Sequence, residues 1–273
     1  MNAQKRLVAL AGQPNSGKST VFNALTGASQ HVANYPGVTV DKMTGWFRHN
    51  GDRVEVVDLP GTYSLTSYSP EERVSRDFIL HEKPSVAVNV MDASNLKRCL
   101  YLTFQLLEME IPVILNLNMM DVAEKRGVLI DVDGLSRRLG IPVVPTTMKS
   151  GRGKKELLDA IGEVSGSGAP RKPARIDYGE MEPFLREIVV VLSQKTSLAT
   201  KYPLRWLAIK LMESDGEVHR IVRESHAAAG GVLEFAAKKQ QEFEALHDKM
   251  PETHIAERRY RAADAIARSC TGP

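Results

Sequence analysis

One octapeptide constrains this chain more than anything else in it. Gly12-Gln13-Pro14-Asn15-Ser16-Gly17-Lys18-Ser19 follows an apolar run, Leu7 to Ala11, and precedes a segment in which Val21, Phe22 and Leu25 share one helical face before Gly27 stops it. A glycine-rich turn between a strand and a helix lets backbone N–H groups curl around a phosphate chain. Lys18 adds positive charge for the terminal phosphates, and the Ser19 hydroxyl is placed to reach a magnesium ion.

Further short β-branched runs, Val54 to Val57, Val86 to Val90, Val113 to Leu117 and Pro142 to Val144, alternate with helical patterns such as Asn95 to Glu110. Near-continuous apolar strands separated by helices predict an α/β, doubly wound domain with a mostly parallel sheet. Asn50-Gly51 predicts a hairpin joining Gly37 to Arg48 with Arg53 to Val57. The segment Ser165 to Arg175, rich in Gly, Ser, Pro and charge, predicts a boundary. Beyond it Met181 to Ser193, Leu204 to Met212, Val218 to Ala229, Leu233 to His247 and His254 to Ser269 read as helices. The expected layout is a first domain over 1–165, a linker over 166–174 and an all-helical domain over 175–273.

Other motifs fall at strand ends. Asp58-Leu59-Pro60-Gly61 closes Val54 to Val57, offering a carboxylate to the magnesium shell and a glycine amide near a terminal phosphate. Asn118-Met119-Met120-Asp121 follows Val113 to Leu117. The Asp121 carboxylate can accept two hydrogen bonds from the N1 and amino edge of guanine, a donor pair adenine lacks, and so points to GTP over ATP. Thr39, in Gly37-Val38-Thr39, sits where a switch loop would offer magnesium a hydroxyl, and His31 to Pro36 has the polarity of a mobile loop. Thr146-Thr147-Met148-Lys149 follows the last predicted strand, near the base.

Other chemistries find little support. The 36 Lys and Arg are interleaved with 33 Asp and Glu, predicting a mixed solvated surface and no nucleic-acid stripe. Cys99 and Cys270 are far apart with no CxxC, which argues against a disulfide or zinc framework, and the histidines lack the spacing of a coordination face. No run approaches the length of a membrane-spanning helix, and no secretion signal is apparent, so a soluble chain in a reducing cytosol is expected.

With these pieces in order, the first domain resembles the G domain of translation-factor-like GTPases, most closely that of the ferrous iron transport protein B family. The resemblance rests on GQPNSGKST, NYPGVTVDK, VVDLPGTYSLTSYSPEE, VNVMDASNLKRCLYLTFQLLE, LNMMDVAEKRG and the GRG after Thr147, and covers Leu7 to about Ile161. It implies a Ras-like P-loop GTPase fold with a six-stranded, mostly parallel sheet. It also implies a slow, potassium-stimulated GTPase, and a helical domain that modulates GDP affinity and lies near the membrane. A transmembrane iron-channel domain would normally follow in the same polypeptide, tethering this part to the cytoplasmic side of the bacterial inner membrane; a homo-oligomer is possible and no nucleic-acid partner is implied.

Carried over by position, Asn15, Lys18, Thr39 and Gly61 would be catalytic. Gly12 to Thr20, Gly37 to Thr39, Asp58 to Gly61, Asn118, Met119, Asp121, Thr147 and Met148 would contact GTP or GDP. Ser19, Thr39 and Asp58 would hold Mg²⁺, and Asn15, under the loop around Asn34, K⁺. Thr62 stands where many GTPases carry a water-orienting Gln, which predicts slow turnover. Met119 replaces a common Lys and Met148 a small residue, which predicts weak nucleotide retention. A ribosome- or RNA-associated assembly GTPase would share the phosphate and base motifs but needs a basic face. A helical adaptor with a degenerate site fits poorly with intact Lys18, Ser19, Thr39 and Asp58.

Overall fold

The computed structural model describes residues 6–36, 38–66, 68–167, 172–194, 196–225 and 230–272. The apolar runs become the centre of a sheet, as their two-faced burial requires. Its strands are β1 (Arg6–Gly12), β2 (Gln30–Asn34), β3 (Asp41–His49), β4 (Asp52–Asp58), β5 (Val86–Asp92), β6 (Val113–Asn118) and, beyond the short β7 (Leu129–Ile130), β8 (Val143–Pro145). Their order is β2-β3-β4-β1-β5-β6-β8, with β1, β4, β5, β6 and β8 parallel and β2 and β3 antiparallel. Asn50 and Gly51, both at positive φ, turn β3 into β4 as the expected hairpin.

The sheet has seven strands, one more than the six expected. His31 to Asn34, read from sequence as loop, pairs with β3 as an edge strand whose residues are all exposed. Burying neither face, β2 needs no apolar alternation, and its backbone pairing leaves no periodicity to read.

Helix α1 (Lys18–Thr26) packs on one face of the sheet, followed in the chain by α2 (Pro70–Glu82), α3 (Leu96–Glu108), α4 (Met120–Lys125), α5 (Val132–Leu139) and α6 (Lys154–Ser167). Val21, Phe22 and Leu25 of α1 and Leu157, Ile161 and Val164 of α6 share one core with Val8, Leu10, Val54, Val56, Val86 and Val88. The start of α2 is written in Ser69-Pro70-Glu71-Glu72: the Ser69 hydroxyl accepts from the Glu72 N–H and proline takes the first turn. Helix α6 continues through Ser167, into the stretch expected as linker from 166; 168–171 lie outside the described residues. Because β1 lies between β4 and β5, the strand order reverses there. The carboxyl ends of β1, β4, β5 and β6 converge on one crevice rim, where open α/β sheets bind ligands.

The chain divides into two compact units, Met1–Ala174 with Ala263–Pro273, and Arg175–Ala262. The second holds α7 (Glu182–Ser193), α8 (Thr196–Ala199), α9 (Leu204–Met212), α10 (Gly216–Glu224), α11 (Gly230–His247) and most of α12 (Pro251–Cys270). Helix α10 ends at Glu224, and 226–229 of the longer helix expected there lie outside the described residues. The residues from 263 on, expected in the helical domain, group with the first unit, where β9 (Thr271–Gly272) pairs with β7.

The second unit buries charge. Lys210 is 2% exposed and Arg259 0%. Glu213 pairs with both: its Oε2 lies 2.8 Å from Lys210 Nζ as an ion pair, and its Oε1 accepts from the Arg259 guanidinium. Asp215, 3.8 Å from Lys210 Nζ, caps α10 by accepting from the N–H groups of Glu217 and Val218. Burial works against the Glu213 charge, but Arg259 and Lys210 outweigh it and hold its pKa down to about 2. We expect Glu213→Ala to lower unfolding stability by about 3 to 5 kcal/mol, because it strands two buried cations. The check is a denaturant midpoint shifted at constant slope; an unmoved midpoint would contradict it. Since the folded pKa lies below that of an unfolded glutamate, this stabilisation is complete above about pH 4.5 and is lost as pH falls toward 2.

Candidate functional site

The phosphate-binding signature closes β1 and opens α1. Gly17 takes the left-handed conformation, φ 83°, as the N-cap of α1 and gives no side-chain cap, so the amides of the first turn face outward. A Cβ on Gly17 would lie 2.3 Å from Asn118 Nδ2, and one on Gly12 would lie 2.5 Å from the Val90 carbonyl oxygen. Both glycines are therefore required by close approach. Pro14, Asn15, Ser19 and Thr20 are exposed at the rim, with Asn15 at φ 64°, while Gln13 and Ser16 are buried beneath. The Ser16 Oγ is buried without a hydrogen-bond partner among the described residues, so the loop has unspent polar capacity on its inner side.

Asp58 ends β4 beside this loop, and Lys18 Nζ donates to its Oδ1. Burial pushes the Asp58 pKa up while the ammonium pulls it down, and burial is the larger effect. Leu59 donates its N–H to Leu10 O at 2.9 Å and Thr62 its N–H to Gly12 O at 3.1 Å, lacing the DLPG segment along the signature loop. Pro60 O accepts from Ser75 Oγ of α2 at 3.3 Å, and Gly61 backs onto Pro14, 3.3 Å from a would-be Cβ to the Pro14 nitrogen. The oxygen set of Ser19 and Asp58 suits a hard divalent cation.

On the other flank Asn118 ends β6. Its Nδ2 donates to Ser16 O at 3.1 Å, and its Oδ1 accepts from Thr146 Oγ1 at 3.1 Å and the Met148 N–H at 3.0 Å. Met119 turns the chain at φ 62°, and Asp121 lands half-buried in the first turn of α4. Thr147 is buried, and its Oγ1 has no hydrogen-bond partner among the described residues. The Met148 side chain, a bulky group where a small one was expected, joins the core with Val144, Leu157 and Ile161.

In the switch segment Gly37 lies outside the described residues; the Val38 N–H donates to Tyr35 O at 3.3 Å, the Tyr35 N–H to Val40 O at 2.9 Å, and Thr39 is exposed. Tyr35 is buried in this segment: it is 7% exposed, packs edge-on against Phe78 at 6.4 Å, and lies 5.6 Å below Lys42 Nζ. Burial, and then the Asp58 charge, push its phenol pKa up. Two more residues escaped the sequence reading. Arg98 and Cys99 at the start of α3 clamp Gln13, whose Nε2 donates to Arg98 O at 2.9 Å and whose Oε1 faces the Cys99 thiol at 3.4 Å. Thr146, expected near the base, grips Asn118 as described. The one legible signal for Tyr35 was its position immediately beside a motif already singled out.

Comparison with known proteins agrees with this geometry. The family profile "Ferrous iron transport protein B" matches residues 6–161, and "FeoB cytosolic helical domain" matches 178–271. The Fe(2+) transporter FeoB of Salmonella typhimurium is 43% identical over 272 residues, covering 96% of this chain and 33% of that protein. The chain thus spans about a third of the length of that relative. Among solved structures, a GDP-bound mutant of S. thermophilus NFeoB aligns with TM-score 0.86 and 35% identity, over 98% of this chain and all of that one. The GMPPNP form of the T. maritima FeoB cytosolic domain aligns with TM-score 0.84 and 33% identity over the same shares. No helix among the described residues is long and apolar enough to cross a membrane.

Proposed function

The chain belongs to the ferrous iron transport protein B family, and from that premise we propose that it binds guanine nucleotide with Mg²⁺ and hydrolyses GTP slowly, as the cytosolic switch of a bacterial ferrous iron transporter. The observation that carries this reading is Asn118, whose amide reaches the carbonyl of Ser16 and so fixes the guanine-selecting segment against the phosphate loop. One ligand then spans both, with its phosphates over Gly12 to Thr20 and its base against Asp121, Met119 and the Thr147–Met148 turn.

In this reading the amides of α1 and the Lys18 ammonium take the phosphate charge. Ser19, Asp58 and Thr39 would hold magnesium, which when bound would neutralise charge on the terminal phosphates. Lys18 pairs with Asp58, so with nucleotide bound the ammonium would serve the phosphates and the carboxylate would be released to the cation. Gly61 supplies an amide beside Pro14. With Thr62 buried and its N–H spent on Gly12 O, no side chain at that position orients water, and slow turnover follows. The helical unit is assigned the modulation of GDP affinity, and the transport activity belongs to the longer protein of which this unit type forms the cytosolic part.

Potassium activation is part of the proposal. Asn15 stands at the rim in a left-handed conformation, its side chain exposed where a monovalent cation could neutralise charge between the β- and γ-phosphates. GTP hydrolysis measured in KCl should exceed that in NaCl by about tenfold or more, and Asn15→Ala should abolish the difference while GDP still binds. Equal rates in the two salts would remove potassium from the mechanism.

A further inference from the structure

Gln105 is a polar residue in a continuously buried stretch of α3, where packing alone would favour leucine. Every residue from Cys99 to Leu107 is buried, and Gln105 is itself 3% exposed. Its Oε1 accepts from the Leu65 N–H at 2.8 Å, a bond that reaches 40 positions back to the segment following Asp58-Leu59-Pro60-Gly61. The Leu65 N–H can only donate, so the amide atom facing it is oxygen and the other is nitrogen. That nitrogen is buried with no hydrogen-bond partner among the described residues, a cost an aliphatic side chain would avoid.

The same helix grips this segment and the phosphate loop together. Arg98 lies two helical turns before Gln105 and so on the same face. Its guanidinium sits 4.5 Å from the centre of the Tyr63 ring, and its carbonyl oxygen accepts from Gln13 of the phosphate loop. The alternate residues are held by α2, where the Glu72 carboxylate accepts from Ser64 Oγ at 2.6 Å, Thr66 Oγ1 at 2.9 Å and the Tyr68 N–H at 3.1 Å. Two of these ties take a backbone N–H. The one at Tyr68 is exposed and competes with water, whereas the one at Leu65 is buried and does not.

We infer that Gln105 is a positioning residue for GTP hydrolysis: it pins the Leu65 backbone to α3 and so fixes where the Gly61 amide stands when the terminal phosphate is attacked. The inference rests on the guanine-nucleotide reading above. Between Gly61 and Leu65 the Thr62 N–H is bonded to Gly12 O, so this short stretch is fastened at both ends. With Leu65 released, Thr62 becomes the last buried backbone tie before a loose run to α2, and a tie at the edge of a loose run frays first, taking Gly61 with it. The base contacts and the phosphate loop are untouched, so the loss falls on the chemical step and not on nucleotide binding.

The test removes the acceptor and keeps the bulk. In the whole chain, Gln105→Leu should lower kcat for GTP about tenfold, the scale of one buried hydrogen bond, with KM and the release rate of mant-GDP within about twofold. Hydrogen exchange at the Leu65 amide should quicken about tenfold or more while exchange in β1, β5 and β6 stays as it was. Gln105→Glu keeps an oxygen facing the Leu65 N–H in either protonation state, so it should recover most of kcat. If Gln105→Leu does not fold, Gln105→Met, of similar length and with only a weak acceptor, carries the same expectation. An unchanged kcat, KM and GDP release rising together with the fall in kcat, or a glutamate variant no better than the leucine one would each overturn the role of Gln105. Failure of the unsubstituted chain to take up mant-GDP would overturn the guanine-nucleotide reading and this inference with it, whereas normal uptake with an unchanged kcat in the variant overturns the inference alone.

Discussion

Lys18→Ala is expected to lower single-turnover GTP hydrolysis by about a thousandfold, the scale on which removal of one preorganised charge or donor acts at a reacting centre. Two effects add. The phosphates lose the only lysine in the signature loop, and Asp58 loses the ammonium that opposes the upward push of burial on its pKa. A protonated Asp58 is a poorer ligand for magnesium, so the variant should also need more Mg²⁺ to bind GTP. Rapid quench with saturating protein measures the first effect and a magnesium titration the second. A variant within about threefold of normal turnover would mean that the ammonium contributes less than one ordinary hydrogen bond, contrary to its placement.

Asp121→Ala should erase base selection. A site that hydrogen-bonds a donor pair rejects the analogue lacking it by about 10⁴-fold or more, because its own acceptor is otherwise left unpaired. Once the carboxylate is gone that penalty disappears, and the ratio of kcat/KM for GTP over ATP should fall by about the same factor, with the loss on the GTP side. The short helix α4 makes the effect local: Met119 sets its start in a left-handed turn, and the Met120 N–H is tied to Thr146 O at 3.1 Å, so the backbone survives the truncation. An unchanged GTP-to-ATP ratio would place base reading elsewhere in the molecule.

What could be read beforehand follows burial. β1, β5 and β6 are sunk in the sheet on both faces, so their continuous apolar runs were visible. β2 buries nothing and was invisible. The phosphate loop was legible because its glycines answer to steric demands that no other residue meets. Asn118 could be picked out as a base motif, but not its bond to Ser16, which joins residues 102 positions apart. Thr146 was expected near the base, but not its bond to Asn118, and Asn116 was opaque because a strand asparagine looks the same whether it faces solvent or the core. The interleaved charges read as a solvated surface, whereas Lys210 and Arg259 are buried and meet at Glu213, a pairing that joins residues 46 positions apart in the chain. Tyr35, in a polar segment, gave no sign that its ring would be buried near Asp58.

The most direct test is equilibrium titration of the purified chain with mant-GTP, mant-GDP and mant-ATP in the presence of Mg²⁺. Saturable binding of both guanine nucleotides is expected, with GDP in the micromolar range or weaker and quickly released, and ATP far weaker. No guanine uptake, or ATP bound as well as GTP, would contradict the account at its root.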